Sequence, residues 1–183
     1  MSILFHKTPI PDLFLITAHQ VNDERGYLTK YYDKDIYKEN GLTPCFCETA
    51  EIMSRKGVLR GLHYQINPSQ ARLIHVASGL IFNVSLDLRK TSATFGKYEC
   101  CYISKDKAVF VPEEFANGFL AMEDSIVVCH YSSKFISENC DGIIWNDTEL
   151  GIPWPLQELN ETLYISEKDK KLQLFSQYKR NRL

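Results

Sequence analysis

The chain has 183 residues, 44% of them hydrophobic, with a formal net charge of −2 and an isoelectric point of about 6.2. That length holds one domain with a full core. The balanced charge argues against a nucleic-acid binder, which needs a basic face, and no apolar run nears the roughly 18 residues of a membrane span.

Taken from the N-terminus, Met1 to Ile10 carries charge and proline early and lacks a signal-peptide core, so a cytoplasmic chain is expected. Turn signals recur at Asp23-Glu24-Arg25-Gly26, Asn67-Pro68-Ser69, Ser78-Gly79, Phe95-Gly96, Pro112-Glu113 and Asn117-Gly118. Between them lie short runs rich in Val, Ile, Phe and Tyr. This rhythm predicts an antiparallel sandwich or barrel, with residues 1–183 as a single domain. Helix is expected only over Lys34–Asn40 and near the C-terminus.

The stretch Gly57–Gln65, Gly-Val-Leu-Arg-Gly-Leu-His-Tyr-Gln, puts His63 in a predicted strand with Arg60 three residues before it. Histidine titrates near neutral pH and arginine holds anions. In a regular strand Leu59, Gly61, His63 and Gln65 share one face, so a second ionisable group has to come from elsewhere. Taken alone, a strand histidine is more often a core residue than a base. The next strand, Leu80–Leu88, alternates strictly, with Leu80, Phe82, Val84, Leu86 and Leu88 against Ile81, Asn83, Ser85 and Asp87. Two readings fit it equally: a half-exposed sheet, or the wall of a wet pocket. The six cysteines form no Cys-x-x-Cys pair, and buried free thiols are expected.

Five segments then stand in order: Gly57–Gln65, Leu86–Gly96 (LDLRKTSATFG), Val111–Phe119 (VPEEFANGF), Gly142–Asp147 (GIIWND) and Ile152–Pro155 (IPWP). From Pro9 to about Leu172 the chain resembles the dTDP-4-dehydrorhamnose 3,5-epimerase family of nucleotide-sugar enzymes. The resemblance implies an all-β fold, a cupin-type β jelly roll with a few short helices, and a homodimer that exchanges strands. It implies an isomerase with no cofactor and no metal. The residues agree on the metal, since metal-binding cupins offer a His-x-His pair and here Gln65 stands two after His63. The implied reaction is epimerisation of a nucleotide-diphosphate-linked 4-keto-6-deoxy sugar at C3, C5 or both, in making an unusual sugar for a surface polysaccharide or glycoconjugate. The C4 ketone acidifies its neighbouring C–H bonds. A base removes a proton, an enolate forms, and a proton returns to the opposite face.

By position, His63 matches the family's base. Asp169, in Ile165-Ser166-Glu167-Lys168-Asp169, matches the aspartate that orients it. Arg60 matches a diphosphate contact, and Arg25 and Lys168 match further ligand contacts. The chain departs from the family elsewhere. Arg72 stands where lysine is usual, Asn83 where aspartate is, Asn117 where histidine is, and Lys30 where glutamate is. Arginine keeps a cation for the enolate without a proton to give, and Asn117 donates a hydrogen bond without charge. Counting back from Trp145, Cys129 takes the place of the family's acid tyrosine, while Tyr131 lies two residues on and shares its face. The acid is therefore Tyr131, taken first, or Cys129, or absent. Glu48 replaces a glutamine near the nucleotide end and could accept from a guanine edge, so GDP is considered beside dTDP. Two rivals stand beside epimerisation: a 3,4-ketoisomerase on the same scaffold, and a non-catalytic nucleotide-sugar binding protein.

Overall fold

Short β-branched and aromatic runs between turn residues become strands, as the rhythm predicts. The computed structural model describes residues 2–160 and 162–182. It begins with β1 (Ile3–Lys7) and β2 (Phe14–Ala18), then a separate hairpin of β3 (Gln20–Asp23) and β4 (Gly26–Thr29), then helix α1 (Lys34–Glu39). Strands β5 (Glu48–Ser54), β6 (Val58–Gln65), β7 (Arg72–Ser78) and β8 (Ile81–Asp87) follow. Next come β9 (Tyr98–Ile103), β10 (Lys107–Val111), β11 (Phe115–Ala121), β12 (Ser125–Tyr131) and β13 (Cys140–Gly142). The chain closes with α2 (Leu156–Leu159), β14 (Tyr164–Ile165) and α3 (Phe175–Arg182).

One six-stranded sheet runs β1-β2-β10-β7-β12-β5; the other runs β13-β6-β11-β8-β9, with β14 added parallel to β6. Non-consecutive antiparallel neighbours in two sheets make this a jelly roll. Ile74, Val76, Val109 and Val127 of the first sheet meet Ile81, Ile103, Phe115 and Phe119 of the second. The second sheet's other face is covered by the C-terminal region, where Phe82, Val84 and Leu86 share a cluster with Trp154, Leu159, Phe175 and Tyr178. Asp33 caps α1, its side chain accepting from Asp35 N and Ile36 N. No helix among the described residues is long and apolar enough to cross a membrane.

Four expectations change. Asn117-Gly118 is not a turn but the middle of β11, where a Cβ on Gly118 would lie 2.7 Å from the Arg60 carbonyl oxygen; the glycine serves a close strand approach. Strand β8 is not half-exposed, since all of Ile81–Asp87 is buried. Nor does its polar face line a wet pocket: Asn83 and Ser85 bond Asn117, and Asp87 gathers Arg89, Ser92 and Thr94. A short helix, α2, follows Pro155 where none was expected. All six cysteines are free, yet only Cys129 is buried, and Cys45 and Cys47 are exposed.

Candidate active site

A cavity of about 560 Å³ opens beside β6 and is lined by Arg60, His63, Arg72, Tyr131, Lys168 and Asp169 among others. In a regular strand Arg60 and His63 would face opposite ways. The ladder between β6 and β11 pairs His63 with Asn117 but Arg60 with Phe119. Three steps on β6 therefore match two on β11, a bulge that turns both side chains to one cavity. Gly61 sits in the bulge at φ +110°, and a Cβ there would meet Gly118 Cα at 2.7 Å and Asn117 O at 2.8 Å.

Asp169 arrives from the other end of the chain, in a short helical turn over Asp169–Lys171. It is 4% exposed. Its Oδ1 lies 2.8 Å from His63 Nε2, and its Oδ2 accepts from Gly61 N–H at 3.0 Å. Its own N–H donates to Ser166 Oγ at 3.0 Å. Burial alone would raise the Asp169 pKa; the bonds from His63 and Gly61 outweigh it and hold the carboxyl below its ordinary value. A carboxylate only accepts, so His63 donates from Nε2, and in the neutral ring Nδ1 carries the free lone pair. The ring is 40% exposed and belongs to the cavity wall.

Arg72, at the start of β7, is 9% exposed and donates from Nη1 to His63 O at 3.1 Å. Its guanidinium carbon lies 5.9 Å from the Tyr131 ring centroid. Burial pulls the Arg72 pKa down, opposed by Tyr131, Cys129 and Cys140 nearby. Burial also raises the Tyr131 phenol above its ordinary value, with Cys129 adding to the rise and Arg72 opposing it. Cys129 is deeper: it is not part of the cavity wall, and burial pushes its thiol up to about 11. Of the three options for the acid, Tyr131 is the group that meets the cavity. His130 faces the other way, bonded to Thr49 Oγ1 at 2.9 Å.

The remaining residues divide. Arg60 lines the cavity with Nε on Ser54 Oγ at 3.0 Å, and Lys168 lines it beside Asp169. Asn117 is 6% exposed and lies beneath the site, donating from Nδ2 to Asn83 Oδ1, Val84 O and Ser85 Oγ. Glu48 is not part of the wall; its Oε2 accepts from Phe135 N–H at 3.0 Å and so holds a residue that is. Lys30 pairs with Asp33 at 3.0 Å beside α1. Arg25 sits at the tip of the β3–β4 hairpin, bonded to Asp23 and 85% exposed, outside this cavity. Gln65 had no assigned role, yet it binds the loop over the cavity from both sides, donating to Lys134 O at 2.9 Å and accepting from Ile136 N at 2.8 Å. Its place in the Gly57–Gln65 run was the only signal. Ser166, three before Asp169, carries the spacing of a side-chain cap. No group of three or more His, Cys, Asp or Glu able to hold a metal occurs among the described residues.

A family model described as dTDP-4-dehydrorhamnose 3,5-epimerase matches residues 7–177. The chain belongs to the dTDP-4-dehydrorhamnose 3,5-epimerase family. A family member of that name from Methanothermobacter thermautotrophicus is 41% identical over 169 residues, 91% of each chain. The crystal structure of the Bacillus anthracis epimerase, with TDP and PPi bound, superposes with a TM-score of 0.87 at 32% identity, covering 95% of this chain and 100% of that one. The Legionella pneumophila epimerase, in complex with dTDP-4-keto-L-rhamnose, gives a TM-score of 0.90 at 31% identity over 96% and 94%. The jelly roll expected from the sequence is the family's fold, and the family is one of isomerases acting on nucleotide-linked sugars.

Proposed function

We propose that this cavity epimerises a nucleotide-diphosphate-linked 4-keto-6-deoxy sugar through an enolate. The observation that carries the reading is the His63–Asp169 pair at 2.8 Å on the cavity wall, with Arg72 bonded to the His63 backbone. A binding protein needs no base held in one tautomer. In the proposed cycle His63 Nδ1 takes the proton from the carbon beside the ketone. The C–H electron pair forms the C=C bond, and the carbonyl pair moves to O4, facing Arg72. Tyr131 then gives its phenolic proton to the same carbon from the opposite face. Solvent resets both groups.

Arg60 and Lys168 are assigned to the diphosphate, as a planar fork and a point charge. For the nucleotide we favour dTDP over GDP. Glu48 was the ground for a guanine reader, and one of its oxygens is committed to Phe135 N–H. The related epimerases carry dTDP names and hold TDP or a dTDP sugar. We also propose a cytoplasmic homodimer in which Arg25, Lys30 and the β3–β4 hairpin serve a second copy. The hairpin's exposed Val21, Tyr27 and Leu28 support that reading. Asn117 is assigned to holding the floor beneath His63.

The test is deuterium uptake from D₂O, read by NMR, into dTDP- and GDP-linked 4-keto-6-deoxyhexoses. The wild type labels the dTDP sugar; His63→Ala loses about 10²–10⁴-fold in rate while binding the sugar as before. Substantial exchange in His63→Ala removes His63 from its role, and faster labelling of the GDP sugar reverses the nucleotide assignment.

A further inference from the structure

Arg72 is a buried cation without a counter-charge among the described residues. It forms no salt bridge among the described residues. Among the described residues its Nε is buried with no hydrogen-bond partner, and its one hydrogen bond goes to a backbone carbonyl. The buried polar side chains Asn83, Ser85 and Asn117 are neutral and bonded to one another. The buried Asp87 is taken by Arg89 at 2.8 Å. Most of the five N–H donors of Arg72 are therefore uncommitted on a planar group that is nine-tenths buried and lines the cavity. Burying such a group is costly unless an anion meets it.

The shape of that group matters, because the two enolates of a 4-keto sugar differ in shape. Removing the C3 proton makes a C3=C4 double bond. The ring holds C2 and C5 on one side of it, so O3 and O4 lie together on the other, coplanar and cis. Removing the C5 proton makes a C4=C5 double bond, whose second oxygen is the ring oxygen. That oxygen is trans to O4. A guanidinium fork donates two parallel hydrogen bonds to two neighbouring coplanar oxygens; an ammonium is a single point charge. Only the C3-derived enediolate fits the fork.

Resting on the epimerase reading above, we infer that Arg72 is a specificity-determining catalytic residue. Its fork chelates O3 and O4 of the enediolate and makes C3 the preferred carbon. The step is balanced: the C3–H pair becomes the C=C bond, the carbonyl pair goes to O4, and the proton goes to His63. A lysine in its place stabilises O4 alone and serves either carbon.

The test measures the separate rates of deuterium uptake at C3 and C5 of a dTDP-linked 4-keto-6-deoxyhexose, for wild type and Arg72→Lys. Wild type labels C3 faster than C5 by about tenfold or more, and Arg72→Lys brings the ratio toward one, with C3 exchange taking most of the loss. Equal rates at C3 and C5 in the wild type overturn the inference without any variant and leave the epimerase reading standing. So does an Arg72→Lys protein that slows both carbons alike. No label at either carbon overturns the epimerase reading, and this inference with it.

Discussion

Asp169 spends one oxygen on His63 Nε2 and the other on the Gly61 amide. Asparagine has a single acceptor, so Asp169→Asn cannot serve both donors. If its oxygen stays on Gly61, its amide faces Nε2 and forces the proton onto Nδ1, where the base must be free. If it turns, the buried Gly61 N–H loses its partner, at a cost of about 1–3 kcal/mol. Exchange in this variant is expected to fall about 10²–10⁴-fold, whichever way the amide settles. Acid stability changes too. The folded Asp169 pKa lies below the ordinary carboxylate value, so its stabilisation is present above that value and is lost as pH falls through the folded one. Below about pH 4 the melting temperature should thus vary less with pH in Asp169→Asn than in wild type; identical acid limbs would show that the pair contributes nothing to stability.

At the scale of the strand, β6 makes the site because it is irregular. A Cβ at residue 61 would strike the backbone of Gly118 and Asn117, and Gly61 φ is +110°. Gly61→Ala is therefore expected to cost about 1–3 kcal/mol in a denaturant melt. It should cost more in activity than in folding, since the displaced amide is the anchor of Asp169. An alanine variant with full exchange rate would mean the bulge does not set the dyad. The sequence made much of this legible. The motif marked His63 and Arg60, and turn residues marked the β3–β4, β6–β7, β7–β8, β8–β9 and β10–β11 junctions. Periodicity alone put Arg60 and His63 on opposite faces, because a one-residue bulge leaves no mark in a period-two pattern. The same blindness read Asn117-Gly118 as a turn, when the small residue was needed for approach to β6 rather than for chain reversal. The alternation of β8 is plain in the sequence, but its meaning depends on α2 and α3 covering the apolar face, a contact 70 residues and more away in sequence. The pairing of His63 with Asp169 across 106 residues came from the family resemblance and from nothing local.

On the scale of the whole molecule, the β3–β4 hairpin is a two-stranded sheet that pairs with neither of the large sheets, with Lys105 over its Tyr27 ring. A two-stranded hairpin standing by itself is marginal in water. Val21 and Leu28 pair across it and are 46% and 59% exposed, while Arg25 at its tip lies outside the cavity that takes Arg60 and Lys168. If a second copy receives this hairpin, each complete site joins His63 of one chain to Arg25 of the other. Two inactive variants then complement one another. Arg25→Ala keeps His63 and His63→Ala keeps Arg25, so a mixed dimer holds one intact site. Random exchange of subunits after co-refolding yields roughly a quarter of the wild-type exchange rate. If Arg25 acts within its own chain, both sites of every mixed dimer stay damaged and mixing restores nothing. Sedimentation of the mixture checks that dimers formed, so a null result with dimers present assigns Arg25 to its own chain. A wild type that sediments as a monomer removes the shared site altogether.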